Sequence, residues 1–535
     1  MQVKTRLVLG GLVSFVGLLL VSVVALFLEK SSMLDDRKVK TRHLVESAHT
    51  LVQHYQAQEA SGAMDKASAQ AAAQPAAVQA ISARDKAEGA KAHPQLLAEF
   101  GGAETGAQAA YVESIGKNVA VQSGLSNARG DFTVTLLNSP VNNAFAIPGG
   151  YIYVTRQLVA LMNNEAELAG VLGHEVGHVA ARHAAKRQSA ATKNSILGVL
   201  GAVLTGAVLG NNQVGQMIQR GLLQGSQLLT LRYSRGQETE SDNLGIEYLR
   251  RAGYDPRAMS TVLQSLANQN ALDARLMGSS NQVPAWASTH PDPASRVRAA
   301  LSRAGSNATG LTNRDTFLTR IAGLTYGDDP RQGVVEGRRF IHPDLKLAYE
   351  APSGFYMMNG TRAVSINGQS GKGEFSTGPF SGDLDSYVRA AFAGLTESNQ
   401  PRIDPGQVNR TTVNGLSAAY ATARVNSGDG QVDVTVFAYQ FGPDQAFHFV
   451  TMTRAGGAGV FDPMYRSMRR ISAAEAAAIK PRKLAVVTAK AGDTVQSLAS
   501  RMAYSDAPLD RFLVLNGLTA SSRIAPGQKV KLITY

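Results

Sequence analysis

His174, Glu175 and His178 stand in the order H-E-x-x-H inside an apolar stretch running from Val171 to Ala180. Residues four apart on an α-helix lie about 40° from one another around its axis, so the two imidazoles project from one face. Two neutral imidazoles so placed can bind one zinc ion at roughly 2.0–2.1 Å. Glu175, beside them, can accept a proton from a water activated by that ion. The bland alternative is two exposed histidines on a surface helix. A catalytic zinc takes three protein ligands and keeps one position open. His183 is the nearest further histidine, but five residues past His178 a continuing helix rotates it off the ligand face. It is predicted to support the site from outside or to lie at the surface. Glu238 and Asp242 are the better candidates: they are four apart in a helical pattern that begins at Tyr233-Ser234 and runs to Tyr248. Glu238 can ligate the metal and Asp242 can hydrogen-bond a ligand imidazole from behind, while Glu240 points elsewhere on that helix. Alone, this segment would read as a solvated acidic turn.

These residues need elements to hold them. Asn163 or Asn164 can cap the H-E-x-x-H helix, whose first turn carries Glu165 and Glu167, the charge sign its N-terminus favours. Upstream, residues 110–121 have helical spacing, and the β-branched run 132–137 and Tyr151–Thr155 read as strands around the segment Asn143 to Gly150. The apolar run 195–209 has fifteen residues, short for a membrane span; it reads as a buried or lid helix.

Together, H-E-x-x-H and the downstream Ser-Arg-x-x-Glu-x-Glu-x-Asp resemble the gluzincin zinc metallopeptidases that include HtpX, the CAAX prenyl proteases and the BepA-like periplasmic proteases. The Asn-Ala-Phe-Ala-x-Pro-Gly-Gly segment at 143–150 and Thr289-His290-Pro291 with Arg296 strengthen the BepA-like branch. The resemblance covers about residues 93 to 303 and departs at Ser241, where Ala is usual, a small-for-small change expected to leave the site undisturbed. It implies a mainly α-helical domain with a small β-sheet, one Zn2+ per chain on His174, His178 and Glu238, and Glu175 as general base. It also implies that His290 reaches the metal site, either stabilising the oxyanion or closing the fourth position in a latent state. Arg296 is divided between supporting the site and packing helices. The strand containing Asn143, Ala144, Phe145 and Ala146 would pair with an extended substrate, its alternative being a plain edge strand.

The rest of the 535-residue chain sets the context. There is no cysteine, which excludes disulfides, thiol chemistry and Cys-ligated zinc. The net charge of +12 favours anionic envelope polymers or lipid head groups, and no basic run with interleaved aromatics suggests nucleic acid. Lys4 and Arg6 precede an uncharged 22-residue run, Leu7 to Leu28, long enough to span a bilayer. The reading favours an uncleaved anchor over a cleaved signal, although the cations after it oppose the positive-inside rule. Residues 31–72 resemble the start of a single-Cache chemoreceptor, which implies a periplasmic body, and 61–92 read as a flexible or weakly helical linker. Residues 335–480 alternate strands with a helix and resemble a PsbP/Mog1-type α+β sandwich without a catalytic constellation; His342 and His448 are expected to be structural. Gly492-Asp493-Thr494 and Pro526-Gly527-Gln528 resemble the turns of a LysM domain, a βααβ module that binds peptidoglycan; a cap without glycan affinity is its alternative.

The expected organisation is multidomain: anchor or signal 1–28, stalk and linker 29–92, peptidase 93–305, connector 306–334, α+β module 335–480 and LysM-like module 485–535. The expected function is a zinc endopeptidase acting on misfolded or misassembled envelope proteins. Its place would be the periplasmic side of the inner membrane, or the periplasm if the N-terminus is cleaved. The alternatives are an envelope chaperone or a peptidoglycan-bound scaffold with little proteolysis.

Overall fold

The computed structural model describes residues 81–183, 233–276, 290, 293–395, 403–427 and 430–535. The predicted anchor, the stalk as far as residue 80 and the apolar run 195–209 lie outside these residues. Among the described residues no helix is long and apolar enough to cross a membrane.

The first helix, α1 (Ala83–Glu99), begins ten residues before the predicted start of the peptidase, inside the segment read as linker. Ser82 and Asp85 form a reciprocal capping box at its N-terminus, which satisfies backbone donors that a coil would leave to water. Its small residues are the reason it packs: Gly89 lies so close to Pro148 and Tyr151 that a Cβ would clash, and Ala92 and Leu96 are buried. Helix α2 (Ala107–Ala120) follows. Strands β1 (Thr133–Leu137), β2 (Ala144–Ile147) and β3 (Tyr151–Thr155) form a sheet in the order β1-β3-β2. β1 runs parallel to β3 and β2 antiparallel, so β2 is an edge.

Among the described residues five further helices belong to this part: α3 (Arg156–Leu161), α4 (Glu165–Ala180), α5 (Arg235–Arg251), α6 (Ala258–Leu276) and α7 (Pro293–Ala304). Asn164 caps α4, its side chain accepting from the Glu167 amide. Ser234 and Gln237 close a second capping box on α5. α4 is buried nearly all round, as its continuous apolar sequence requires.

The segment 306–334, predicted as a polar connector, contains α8 (Arg314–Ile321), whose Phe317, Leu318 and Ile321 are fully buried. Beyond it lie β4 (Val334–Glu336), β5 (Arg339–His342), β6 (Leu347–Glu350), β7 (Phe355–Asn359), β8 (Val364–Gly368), β9 (Gly371–Thr377), α9 (Leu384–Ala393), β10 (Asn409–Val413), β11 (Leu416–Ser427), β12 (Gly430–Gln440), β13 (Ala446–Arg454), α10 (Asp462–Ser467), β14 (Arg469–Arg470) and α11 (Ala473–Ala478). A seven-stranded sheet, β10-β11-β12-β13-β9-β8-β7, faces a four-stranded one, β14-β6-β5-β4. Alternation along β12 shows the layering: Val434, Val436 and Ala438 pack toward α9, whereas Phe437 and Tyr439 join Phe340, Tyr349 and Phe449 between the sheets.

The C-terminal βααβ unit comprises β15 (Lys483–Thr488), α12 (Val495–Ala499), α13 (Pro508–Asn516) and β16 (Lys529–Thr534), with β15 antiparallel to β16. It is fastened to the peptidase part. Gly323 donates to the Leu484 carbonyl at 2.8 Å and Leu484 to the Leu324 carbonyl at 2.9 Å. The buried Lys531 ammonium donates to the carbonyls of Ala160, Leu161 and Met162 at 2.8, 3.0 and 2.6 Å. These carbonyls end α3 and directly precede α4. They are the orphan acceptors of a helix C-terminus, where a cation is favoured.

Candidate metal centre

The site exists because α4 and α5 approach almost backbone to backbone. Gly173 and Gly177 on α4 face Ser241 and Gly245 on α5. A Cβ on Gly177 would sit 3.1 Å from the Ser241 carbonyl oxygen, and one on Gly245 would meet the His174 nitrogen at 3.0 Å. Small residues four apart make a flat seam on each helix, and the seam brings Glu238 and Asp242 under His174 and His178.

His174, His178, Glu238 and His290 each present one donor atom, all within 4.8 Å of one another, and all four are buried. His174 Nε2 lies 3.0 Å from His178 Nε2 and 3.6 Å from Glu238 Oε2, and His178 Nε2 is 3.4 Å from Glu238 Oε1. Ligands at about 2.0–2.1 Å around a tetrahedral ion stand about 3.3 Å apart, which these separations bracket. Asp242 fixes the chemistry: a carboxylate only accepts, so the 2.9 Å contact with His174 Nδ1 puts the proton there and leaves the Nε2 lone pair facing inward. Burial pushes the His178 imidazole well below its ordinary pKa, so it is neutral at pH 7. Burial works to raise the Glu238 carboxyl, but the surrounding imidazoles overcome it and hold the group well below the carboxylate range. Imidazole nitrogens converging with a carboxylate oxygen are a donor set suited to a divalent cation.

His290 and Arg296 come to the same place. His290 Nδ1 is 3.3 Å from His174 Nε2 and 3.2 Å from Glu238 Oε1, and its Nε2 is 3.5 Å from Glu175 Oε1. Its Nδ1 thus stands at the fourth corner of the donor set. Arg296 Nε and Nη2 donate to Asp242 at 2.7 and 2.5 Å, and Nη1 donates to Glu238. Arg296 is buried against both carboxylates of α5. Glu175 is fully buried, and neither of its carboxylate oxygens has a hydrogen-bond partner among the described residues. Burial raises its pKa above the ordinary carboxylate value.

Asn143 to Ala146 lie at the sheet edge. Ala144 pairs with Val154 and Ala146 with Ile152, and the Phe145 ring stacks on Tyr153 at 4.7 Å. The Asn143 main chain is bound to Thr155, yet both polar atoms of its buried side-chain amide lack a partner.

Three neighbours complete the surroundings of His178. His183, expected either to support the site from outside or to lie at the surface, is fully buried, with Nδ1 2.8 Å from His178 Nδ1 and Nε2 3.0 Å from Glu240. It does not stand on a continuation of α4. The helix ends at Ala180, and Arg182 takes a left-handed φ of 54°, which turns the chain back beneath His178. The Tyr233 ring stacks on His178 at 3.6 Å. The Ser241 hydroxyl, expected to be inert, is 3.4 Å from His183 Nδ1. A signal for the turn was absent, since neither Gly nor Asn stands at 182.

Residues 106–304 match peptidase family M48, and residues 487–532 match the LysM domain. The chain carries an M48 peptidase domain and a C-terminal LysM domain. It is 34% identical over 226 residues to a "Beta-barrel assembly-enhancing protease" of Yersinia pestis, covering 41% of this chain and 44% of that protein. It is 35% identical over 167 residues to "Mitochondrial metalloendopeptidase OMA1" of Arabidopsis thaliana, covering 31% of this chain and 30% of the relative. The corresponding protein of Schizosaccharomyces pombe is 31% identical over 188 residues, 35% of this chain and 50% of its own length. The chain thus spans half or less of the length of these relatives. The match to M48 implies a metal, and the donor set above fits one.

Proposed function

We propose that this chain is a zinc-dependent endopeptidase of the bacterial cell envelope that hydrolyses misfolded or misassembled envelope proteins. The observation that carries the reading is Glu175: a buried carboxylate with no hydrogen bond to either oxygen among the described residues beside four converging metal donors. His174, His178 and Glu238 would hold the ion. Bound there, zinc supplies a Lewis acid that polarises a carbonyl and acidifies a water. Glu175 takes the proton of the attacking water and passes it to the leaving amine. Its raised pKa suits both halves of that transfer. Asp242 and Arg296 keep the His174 tautomer and the Glu238 charge in place. The position of His290 Nδ1 at the fourth corner supports a latched resting site, in which the ring must swing aside before a water can enter.

The edge position of β2 supports pairing with an extended substrate, and the free Asn143 amide is available to a peptide group there. The name of the Yersinia relative suggests unassembled β-barrel proteins as substrates. The two facing sheets with a flanking helix suit a PsbP/Mog1-like sandwich acting as a spacing or binding module. The LysM domain would bring the enzyme to peptidoglycan, and an N-terminal anchor to the inner membrane.

Full-length protein with and without Glu175→Gln, assayed for zinc content and casein cleavage, tests the reading. One zinc in each, with hydrolysis reduced about 10²–10⁴-fold in the variant, is expected. Equal cleavage by both would overturn it.

A further inference from the structure

The metal ligand His174 has an evident partner behind it in Asp242. Its companion His178 has no carboxylate against its Nδ1; it has another imidazole. His183 Nδ1 lies 2.8 Å away, and His183 Nε2 lies 3.0 Å from Glu240. The protons on this chain can be assigned from its outer end. Glu240 is an acceptor, so His183 Nε2 carries the hydrogen and donates it. A neutral His183 then has its lone pair on Nδ1. The short contact between the two Nδ1 atoms requires one donor, so His178 Nδ1–H donates to His183. That leaves the lone pair of His178 on Nε2, facing His174 and Glu238. We infer that His183 and Glu240 are positioning residues, a carboxylate–imidazole relay that fixes the tautomer and ring plane of the ligand His178.

Two further observations favour this role. The Tyr233 ring lies flat on His178 at 3.6 Å with 19° between planes, so the imidazole is clamped face-on by Tyr233 and edge-on by His183. The left-handed turn at Arg182 is what returns His183 to that edge, a backbone conformation unfavourable for a residue with a side chain. Glu240 is half-exposed, with 50% of its side chain accessible, so the relay runs from the surface to the metal ligand. Asp242, by contrast, is buried and locked by Arg296. The two ligand histidines are therefore held by unlike devices, one rigid and ionic, the other a two-step chain open to water at its far end.

This inference rests on the metal-binding reading, and its test separates the two. Zinc affinity of the full-length protein is measured by competition with a chromophoric chelator, with thermal unfolding of the stripped protein as the control for folding. His183→Phe keeps the ring but removes the acceptor, and should weaken zinc binding about 10–100-fold. His183→Asn places an amide oxygen where Nδ1 stood and should restore most of the affinity. Glu240→Ala, at a half-exposed position with little consequence for folding, should weaken zinc severalfold without changing the stripped protein's melting. The relay is disproved if His183→Phe and Glu240→Ala bind zinc as tightly as the wild type, or if Phe and Asn at 183 are equally damaging. Should His183→Phe fail to fold, unchanged affinity in Glu240→Ala alone disproves it. If the wild type itself takes up no zinc, both the metal reading and the relay fall.

Discussion

Helix α4 carries buried carboxylates at its start and at its middle, and the two places are treated in opposite ways. At the start, Glu165 accepts from the hydroxyls of Tyr111 and Tyr254 and from the Asn313 amide. Glu167 accepts from the Asn163 amide at 2.7 Å and from Thr261 at 2.7 Å. Three turns later, Glu175 is equally buried and has no hydrogen-bond partner among the described residues. An unmade hydrogen bond on a buried charged group is costly, so the first pair reads as architecture and Glu175 as a group kept free for a reacting molecule.

That contrast can be broken by substitution, and the largest effect is expected where a satisfied network loses its centre. Arg296→Met leaves Asp242 and Glu238 buried without their cation, and should destabilise the protein by about 3–5 kcal/mol, read by urea unfolding. Loss of under 1 kcal/mol would show that the histidines alone hold these carboxylates. Lys531→Met strands three carbonyls at the end of α3, a cost of about 1–3 kcal/mol. Burial lowers the pKa of this lysine, with Glu167 opposing. A lowered folded-state pKa means that the unfolded chain binds more protons below the ordinary lysine range. Wild-type stability should therefore rise with pH toward about 10.5, a rise the variant should lack.

Glu175 should behave in the opposite sense. In the metal-free protein, Glu175→Gln removes a buried carboxyl that makes no hydrogen bond among the described residues and should stabilise the fold by about 1 kcal/mol while hydrolysis falls about 10²–10⁴-fold. A destabilised variant would place Glu175 with the architectural carboxylates. The smallest effect is expected at Glu99, whose pKa burial pushes up to about 7, against the opposing charge of Arg362. Its folded pKa is raised, so its protonated form is favoured on folding and stability falls as pH rises from about 4.5 through 7. Glu99→Gln should abolish that fall, about 1 kcal/mol after allowing for partial exposure. Parallel pH profiles would refute this.

Much of the centre was legible because its parts obey helical spacing: His174 and His178 are four positions apart, as are Glu238 and Asp242. The small-residue seam was in the sequence as well, at Gly173, Gly177, Ser241 and Gly245, but a seam declares itself only when both helices are known to face each other. Which of the two places offered to His183 it would take was illegible, because the turn that returns it is made by Arg182, a residue without turn propensity. The start of helix α1 was read only as a flexible or weakly helical linker because two of its three buried residues, Gly89 and Ala92, are small. The core of the α+β module was read correctly as strands, since its alternating Val and Phe show a period of two, whereas the pairing of its two sheets depends on contacts distant in sequence.

The ammonium of Lys531 caps α3 two residues before the Asn164 that starts the H-E-x-x-H helix. On the proposed reading, a LysM domain moored at that point would work as a gauge rather than a leash: a sugar polymer held by it would lie at a set height from the four metal donors, and only chains straying within that height would be cut.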